Sequence, residues 1–520
     1  MQATTHSIAT KPTHAPARSG VRLRLALGLW LLLMLIGQGL GADTPTRKQT
    51  EADWNAHKLS FSVSDVWRSV RTFLTDCDDM RRYYSYSNAL LGKPYYRYFV
   101  RTADAWRDEF HTGKPSPNLP NDNTLAFPQK PLLPYRDYLV EYPPGVFLVT
   151  LPPALLLPAG DHGDDYVKLF ILEMSLLLAA ATALALRLRP FLSDVGDSVR
   201  PETASMWMAS GLGIFFLGTA AAHRFDPLVA LLLVAVAWAV FRERWFWSGC
   251  LLALAVVSKG IPLLLAPLWL FYLYAKADRS GQKFPWNSVG QVALGGLLCG
   301  LVFVIPLYHL TGLSMLDALR YHADRPLQVE STGSAILGTL QAVFPGTLRT
   351  AFSFGSHNVV AADDTLLVPQ TVFLRMQGPL LLVAMAALIG YAWVRQQRWP
   401  RSEKNAPLAE LTLRLCCAVL VLYMVSGRVF SPQYLTWIVP LGLFLSLRQS
   451  KSLTATLLLG LLLTHTIWRA LGGAFEDFRP WAFAILLCRN LLLVGWGAAL
   501  VFGRIPDAGR GTSRAVVTVE

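Results

Sequence analysis

Residues 205–241 read SMWMASGLGIFFLGTAAAHRFDPLVALLLVAVAWAVF, and this stretch decides the fold. Two apolar runs, about 205–222 and 226–241, meet at one polar knot, His223-Arg224-Phe225-Asp226. Crossing the hydrocarbon of a bilayer takes about 20 apolar residues in a helix. Two such runs joined by a four-residue knot read as a pair of membrane helices turning at one surface.

The same pattern extends in both directions. Further runs fall at about 22–41, 167–188, 247–275, 288–309, 371–394, 408–426, 435–448, 452–468 and 481–502. Of the 520 residues 53% are hydrophobic and 16% charged, where a soluble globular protein carries about 25% charged residues. The expected fold class is all-α: a polytopic transmembrane helical bundle of about 10–12 membrane segments.

Charge placement sets an orientation. Lys11, Arg18, Arg22 and Arg24 surround the start of the first run, which is expected to be an uncleaved span with its N-terminus in the cytoplasm. Basic clusters at Arg187/Arg189/Arg200, Arg242/Arg244, Lys276/Arg279/Lys283, Arg395–Lys404 and Arg448/Lys451 belong on the same side. The net charge of +13 is accounted for by these loops, so nucleic acid is not an expected partner. The expected division is a cytoplasmic tail over 1–20, a membrane domain over 21–505 and a second cytoplasmic tail over 506–520. Within the domain, 42–142 is the first outer loop, built of amphipathic helices and too long for a plain connection.

Two segments break the pattern. The stretch 145–160 is short and proline-broken, and Asp161, Asp164 and Asp165 follow it. It is expected to lie at the interface or re-enter, because a full crossing would invert every later loop. The 247–275 unit is interrupted at Lys259-Gly260 and Pro262, and reads as two half-helices. Broken helices at membrane depth persist where the freed backbone is buried or lines a cavity.

Five of the six cysteines, Cys250, Cys299, Cys416, Cys417 and Cys488, lie in apolar runs, and Cys77 lies in the outer loop. No CxxC or Cys/His spacing is present, so neither a disulfide framework nor a zinc site is indicated. No GxGxxG or P-loop appears. No cofactor and no metal are expected.

The odd polar clusters all fall on the expected outer side. They are Asp76-Cys77-Asp78-Asp79, Asp137 to Pro144, His223 to Asp226, Tyr321 to Ser331, and Arg428 to Tyr434. Charges in or beside spans are costly and usually mark a function. These clusters carry a resemblance. Asp79-x-x-x-Tyr83, Gly92-Lys-Pro-Tyr95 and Tyr142-Pro143-Pro144 resemble the first outer loop of C-type polytopic membrane glycosyltransferases, which use polyprenyl-phosphate sugars. Further matches are Arg224-Phe-Asp226, Ser258-Lys259 with Pro262-Leu-Leu-Leu, Arg325-Pro-Leu-Gln328-Val-Glu330-Ser331, and Ser431-Pro-Gln433-Tyr434-Leu-x-Trp437. The branch most similar contains the alpha-1,2-mannosyltransferases that build phosphatidylinositol mannosides. The resemblance covers roughly 70–500.

It implies a hexosyltransferase of the inner (plasma) membrane that works on the outer face. The sugar, with mannose the best guess, would pass from the lipid carrier to a glycan or glycolipid acceptor with inversion. The family's catalytic acid falls on Asp79, with Asp78 and Asp137 as alternative bases. A carboxylate within hydrogen-bond reach of an acceptor hydroxyl can take its proton as the oxygen attacks. The competing role for Asp79 is a helix N-cap. His322, Arg325, Lys259 and Arg428 are candidates for the donor phosphate, since cations aimed at the leaving group stabilise its developing charge. Glu141, Tyr142, Arg224, Asp226, Gln328, Glu330, Gln433 and Tyr434 are candidates for substrate contact. Tyr83, Tyr84, Tyr95, Tyr96 and Trp106 are candidates for sugar stacking or for an interfacial aromatic belt. The alternative functions are a transporter or flippase of a lipid-linked glycan, and a non-catalytic assembly protein.

Overall fold

The computed structural model describes residues 23–33, 78–102, 104–105, 124–192, 203–343, 348–361, 367–399 and 405–505. Asp76, Cys77, Trp106 and both expected tails lie outside the described residues, as does all of 34–77.

The described chain is mainly helical. In order it forms α1 (Leu23–Leu33), α2 (Asp78–Leu91), α3 (Phe147–Leu156), α4 (Gly163–Leu186), α5 (Thr203–Leu217), α6 (Asp226–Phe241), α7 (Trp245–Ser258), α8 (Ala266–Arg279), α9 (Trp286–Thr311), α10 (Asp317–Asp324), α11 (Thr332–Leu340), α12 (Leu367–Gln397), α13 (Ala406–Ser426), α14 (Val439–Gln449), α15 (Lys451–Ala470), α16 (Gly472–Glu476) and α17 (Pro480–Phe502). Among the described residues six helices are long and apolar enough to cross a membrane, namely α4, α5, α9, α12, α13 and α17 with their helical extensions. Shorter apolar helices stand at Leu23–Leu33, Pro144–Leu156, Asp226–Phe241, Trp245–Ser258 and Lys451–Ile467.

Where they are described, the apolar runs read from the sequence fall on these helices, the first only over Leu23–Leu33, with two refinements. The run 435–448 splits into a 3-10 turn, Pro432–Trp437, and α14. The 247–275 unit breaks where expected. Lys259 is extended at the end of α7, a 3-10 turn follows at Ile261–Leu265, and α8 resumes at Ala266. The stretch after Pro143-Pro144 is a short helix with Pro152 and Pro153 inside it, too short at about 1.5 Å per residue to cross by itself.

The chain is mainly helical, as expected for an all-α fold, with little sheet. Two small sheets are present. β1 (Tyr95–Tyr96) pairs antiparallel with β2 (Leu125–Ala126). A three-stranded sheet in the order β3-β5-β4 joins β3 (Leu327–Gln328), β5 (Ser356–Ala361) and β4 (Leu348–Ser353), with Gln328 opposite Asn358. The β4–β5 turn is Phe354-Gly355, with φ of 52° and 65°. That is the left-handed pair a tight hairpin demands, and only Gly355 adopts it without steric cost. Tyr321 steadies the turn by donating its hydroxyl to the Phe354 carbonyl at 2.7 Å.

Helix pairs meet closely where small residues allow it. α7 lies against α9, and a Cβ added at Gly249 would sit 2.0 Å from the Val292 carbonyl oxygen, one at Gly295 2.1 Å from that of Phe246. Such contact is the packing mode of apolar helices that lack a hydrophobic drive to associate. The first-loop helix α2 is buried on every side from Tyr83 to Ala89, as a helix enclosed by the rest of the fold is. Much of the rest of the expected loop is irregular where it is described, and α2 is its one long helix among the described residues.

Candidate functional site

Polar ends of several elements converge on one cavity of about 280 Å³. Asp79 from the first turn of α2 lines it with His223 and Arg224 from the knot before α6, Gln328 and Glu330 beside β3, Ser356 and His357 from the hairpin, and Ser431 and Gln433 from the start of the Pro432–Trp437 turn. Phe475 and Ile467 close the apolar side.

Asp79 sits where a helix N-terminus favours an anion, and its side chain turns toward two arginines. Arg224 forms an ion pair with its Oδ2. Arg82 lies one helical turn along, with Nη1 3.9 Å from Oδ1. Arg82 is itself paired with buried Glu141, which also accepts the Tyr86 hydroxyl at 3.0 Å. Glu141 therefore anchors the arginine behind Asp79 and is not among the residues lining the cavity. Tyr142 is held nearby, its hydroxyl 3.5 Å from Arg224 Nη1. Its ring is edge-on to Phe225 and Tyr83. Pro143 is extended, as two consecutive prolines require, and sets the chain's path into α3.

Glu330 is buried against the cavity wall and accepts Gln328 Nε2 at 3.2 Å. Burial drives its carboxyl up to about 7, against the opposing pull of Arg489, Arg224 and Arg325. A carboxyl moved toward neutrality by desolvation inside a cleft has the character of a functional acid or base. The shift also predicts a pH effect. The unfolded chain releases this proton near 4.5, whereas the fold keeps it to about 7. The folded state binds the extra proton between those values, so the stabilisation is full below the lower value and is lost as pH rises through the upper one. Glu330→Gln should flatten the decline in thermal stability between about pH 5 and about pH 8, by on the order of 2–3 kcal/mol. Melting curves of detergent-solubilised protein check this, and parallel wild-type and E330Q profiles would contradict it.

The structure redistributes the other expected roles. Lys259 is not a free phosphate cation. It donates to Asp226 at 2.6 Å, and Asp226 also accepts Trp437 Nε1 at 2.6 Å. The rings of Phe225, Tyr434 and Trp437 surround the ammonium at 5.0, 4.7 and 5.0 Å. Asp226 and Tyr434 thus belong with Lys259 to a buried clamp that fixes the knot, the α7 break and the Pro432–Trp437 turn together, and these three residues do not line the cavity. Arg428 spends Nη1 on the carbonyls of Ala323 and Arg325 at 2.7 and 3.1 Å. It ties the end of α10 to the chain after α13. His322 Nε2 donates to the Glu141 carbonyl at 2.8 Å, because a carbonyl can only accept. Arg325 does not line the cavity either, but its Nη2 lies 2.7 Å from the hydroxyl of cavity-lining Ser356.

Asp137, expected as an alternative base, does not line the cavity. It stands in an exposed turn, paired with Arg136 at 2.9 Å and accepting the Leu133 amide at 2.8 Å. The Arg136 guanidinium and that amide hold its carboxyl below the usual range. Asp78 opens α2. Tyr83, Tyr84 and Tyr96 are neither a sugar platform nor an interfacial belt but buried core of the loop, Tyr84 donating to the Gly160 carbonyl and Tyr96 to Asp161, each at 2.7 Å. The residues sequence reasoning missed are Arg82, Ser356, His357 and Phe475. Only Arg82 had a signal, its three-residue spacing from Asp79 on a helix.

No protein-family model matches the chain, and no curated protein matches it at a significant level. The cavity brings one carboxylate paired with an arginine, one buried carboxyl near neutrality, amide and hydroxyl groups that can donate and accept hydrogen bonds, and an apolar wall into a single space.

Proposed function

We propose that the protein is a membrane glycosyltransferase that takes a hexose, with mannose as first candidate, from a polyprenyl-phosphate donor. In this reading the six long apolar helices and the shorter ones pack as a polytopic bundle in the inner membrane. The cavity faces the outer leaflet, and the acceptor is a glycan or glycolipid. The observation that carries the reading is the meeting in one cavity of Asp79, Arg224, Gln328, Glu330 and Gln433, drawn from segments far apart in the chain.

The step balances simply. The acceptor hydroxyl gives its proton to Asp79 while its oxygen bonds to the anomeric carbon. The bond from that carbon to the phosphate oxygen breaks on the opposite face, inverting configuration, and the lipid phosphate leaves with the electron pair. Arg224, which lines the cavity, would receive that charge, with Arg325 behind it on Ser356, since a guanidinium matches a phosphate with two parallel hydrogen bonds. Gln328, Gln433 and Ser431 supply donors and acceptors for sugar hydroxyls.

The test is purified protein assayed with a panel of radiolabelled polyprenyl-phosphate sugars and glycolipid acceptors. Transfer from one of them supports the reading. Movement of an intact lipid-linked glycan across vesicles, with no bond broken, would replace it with the transport reading.

A further inference from the structure

Glu330 is a carboxyl built into the cavity wall and left half used. It is 6% exposed, and among the described residues no cation forms an ion pair with it. The one hydrogen bond on the carboxyl comes from Gln328 Nε2 to Oε2 at 3.2 Å. Oε1 has no protein donor and is not enclosed by protein, so it opens into the cavity that Glu330 lines. Buried carboxyl oxygens normally have a hydrogen-bond partner, and the protein supplies one for a single oxygen.

The segment that carries Glu330 is held from several sides. The Val329 amide donates to the His357 carbonyl of the hairpin at 3.0 Å, and the Gln328 amide donates to the Arg428 carbonyl at 2.9 Å. The Ser334 hydroxyl of α11 donates to the Gln328 carbonyl at 2.7 Å. From α17 the buried Arg489, 4.1 Å from the centre of the Phe430 ring, reaches the Glu330 carbonyl at 3.5 Å. The Gln328 side chain is fixed in turn, with Ser431 Oγ 3.3 Å from its amide nitrogen and 3.4 Å from its oxygen. An open carboxyl oxygen on a backbone this constrained is a preorganised contact for a ligand hydroxyl. With its proton retained to about 7, the group can donate to that hydroxyl or accept from it.

An acceptor needs to bring only one hydroxyl to Asp79. The transferred hexose must enter the space whole for its anomeric carbon to be attacked there, and it carries its hydroxyls in with it. Resting on the glycosyltransferase reading, we infer that Glu330 is a specificity-determining residue that pairs its open oxygen with one hydroxyl of the donor hexose, Gln328 holding the carboxyl in place. A hexose lacking that hydroxyl leaves the buried oxygen unmet and is rejected.

Binding tests this without turnover. The probes are citronellyl phosphate, a short isoprenyl monophosphate, its mannose, glucose and galactose phosphodiesters, and the monodeoxy forms of whichever phosphosugar binds wild type most tightly. The proteins are full-length wild type and Glu330→Ala. In wild type one monodeoxy form should bind about 10-fold or more weakly than its parent. In E330A the parent falls to the level of that monodeoxy form, the difference between them vanishes, and citronellyl phosphate binds as in wild type. The contact is overturned if no phosphosugar outbinds citronellyl phosphate, or if no monodeoxy form loses affinity in wild type. It is overturned equally if every monodeoxy penalty survives in E330A, or if E330A weakens citronellyl phosphate as much as the phosphosugar. Should E330A not fold, a structure of the wild type with the phosphosugar decides. A hexose hydroxyl within about 3.2 Å of the Glu330 carboxyl supports the contact, and none there overturns it. Sugar transfer without this hydroxyl dependence defeats the inference alone. The hydroxyl dependence without transfer to any acceptor defeats the glycosyltransferase reading alone.

Discussion

Asp79→Asn is expected to lower sugar transfer by about 10²–10⁴-fold, the range a positioned general base contributes. Asparagine keeps the size and shape of the side chain and can still meet Arg224 through its amide oxygen, but it cannot carry the acceptor's proton. The variant should elute as wild type in gel filtration and still bind the isoprenyl phosphate. The loss would then sit in turnover and not in folding or donor capture. Asp137→Asn is the control. Its carboxylate is spent on Arg136 in an exposed turn, so transfer should stay within about twofold, as for surface changes away from a site. Asp78→Asn separates the neighbouring carboxylate from Asp79. If D79N transfers sugar at the wild-type rate and Glu330→Gln does not, the base is Glu330, the cavity's other carboxyl.

The second large effect lies behind the cavity. Lys259→Met and Asp226→Asn each break a pair whose side chains are 10% and 1% exposed. Removing one partner of a buried pair leaves an uncompensated charge and costs about 3–5 kcal/mol. Asp226 also accepts the Trp437 indole, and the Lys259 ammonium is enclosed by three aromatic rings, so neither group can find water without opening the clamp. Each single variant should fall sharply in thermal stability and in the folded fraction recovered in detergent. The double variant Asp226→Asn with Lys259→Met leaves no charge behind and should recover much of the loss. Additive losses in the double variant would show that the pair contributes no mutual stabilisation.

The clamp also explains how a mid-chain break becomes a fixed point. α7 ends at Lys259 because the residue is drawn out to Asp226 in an extended conformation. The freed chain turns at Pro262 before α8. Asp226 sits at the start of α6 with Pro227 behind it, the arrangement a helix N-terminus favours. The knot His223–Asp226 is held from behind by Lys259 and Trp437, and Arg224 is presented forward to Asp79.

What the sequence by itself determined is whatever is local. The runs from 205–222 to 481–502 became helices because uninterrupted apolar residues can bury their backbone polarity only within their own hydrogen-bonded turns. The break at Lys259-Gly260 and the extended Tyr142-Pro143-Pro144 were legible because glycine and proline act on their own backbone. The tertiary structure alone decided the pairings. Arg224 went to Asp79, Lys259 to Asp226, Arg428 to the carbonyls of Ala323 and Arg325, and Glu141 to Arg82. A charge does not encode its partner in its neighbours, and several arginines and carboxylates of equal strength competed for each role. The hairpin over 348–361 was missed for a related reason. Its Phe354-Gly355 turn lacks the Asn-Gly or Asp-Gly signature, and β5 is fixed by pairing with β3 and β4 at once, a constraint that exists only after the chain has folded.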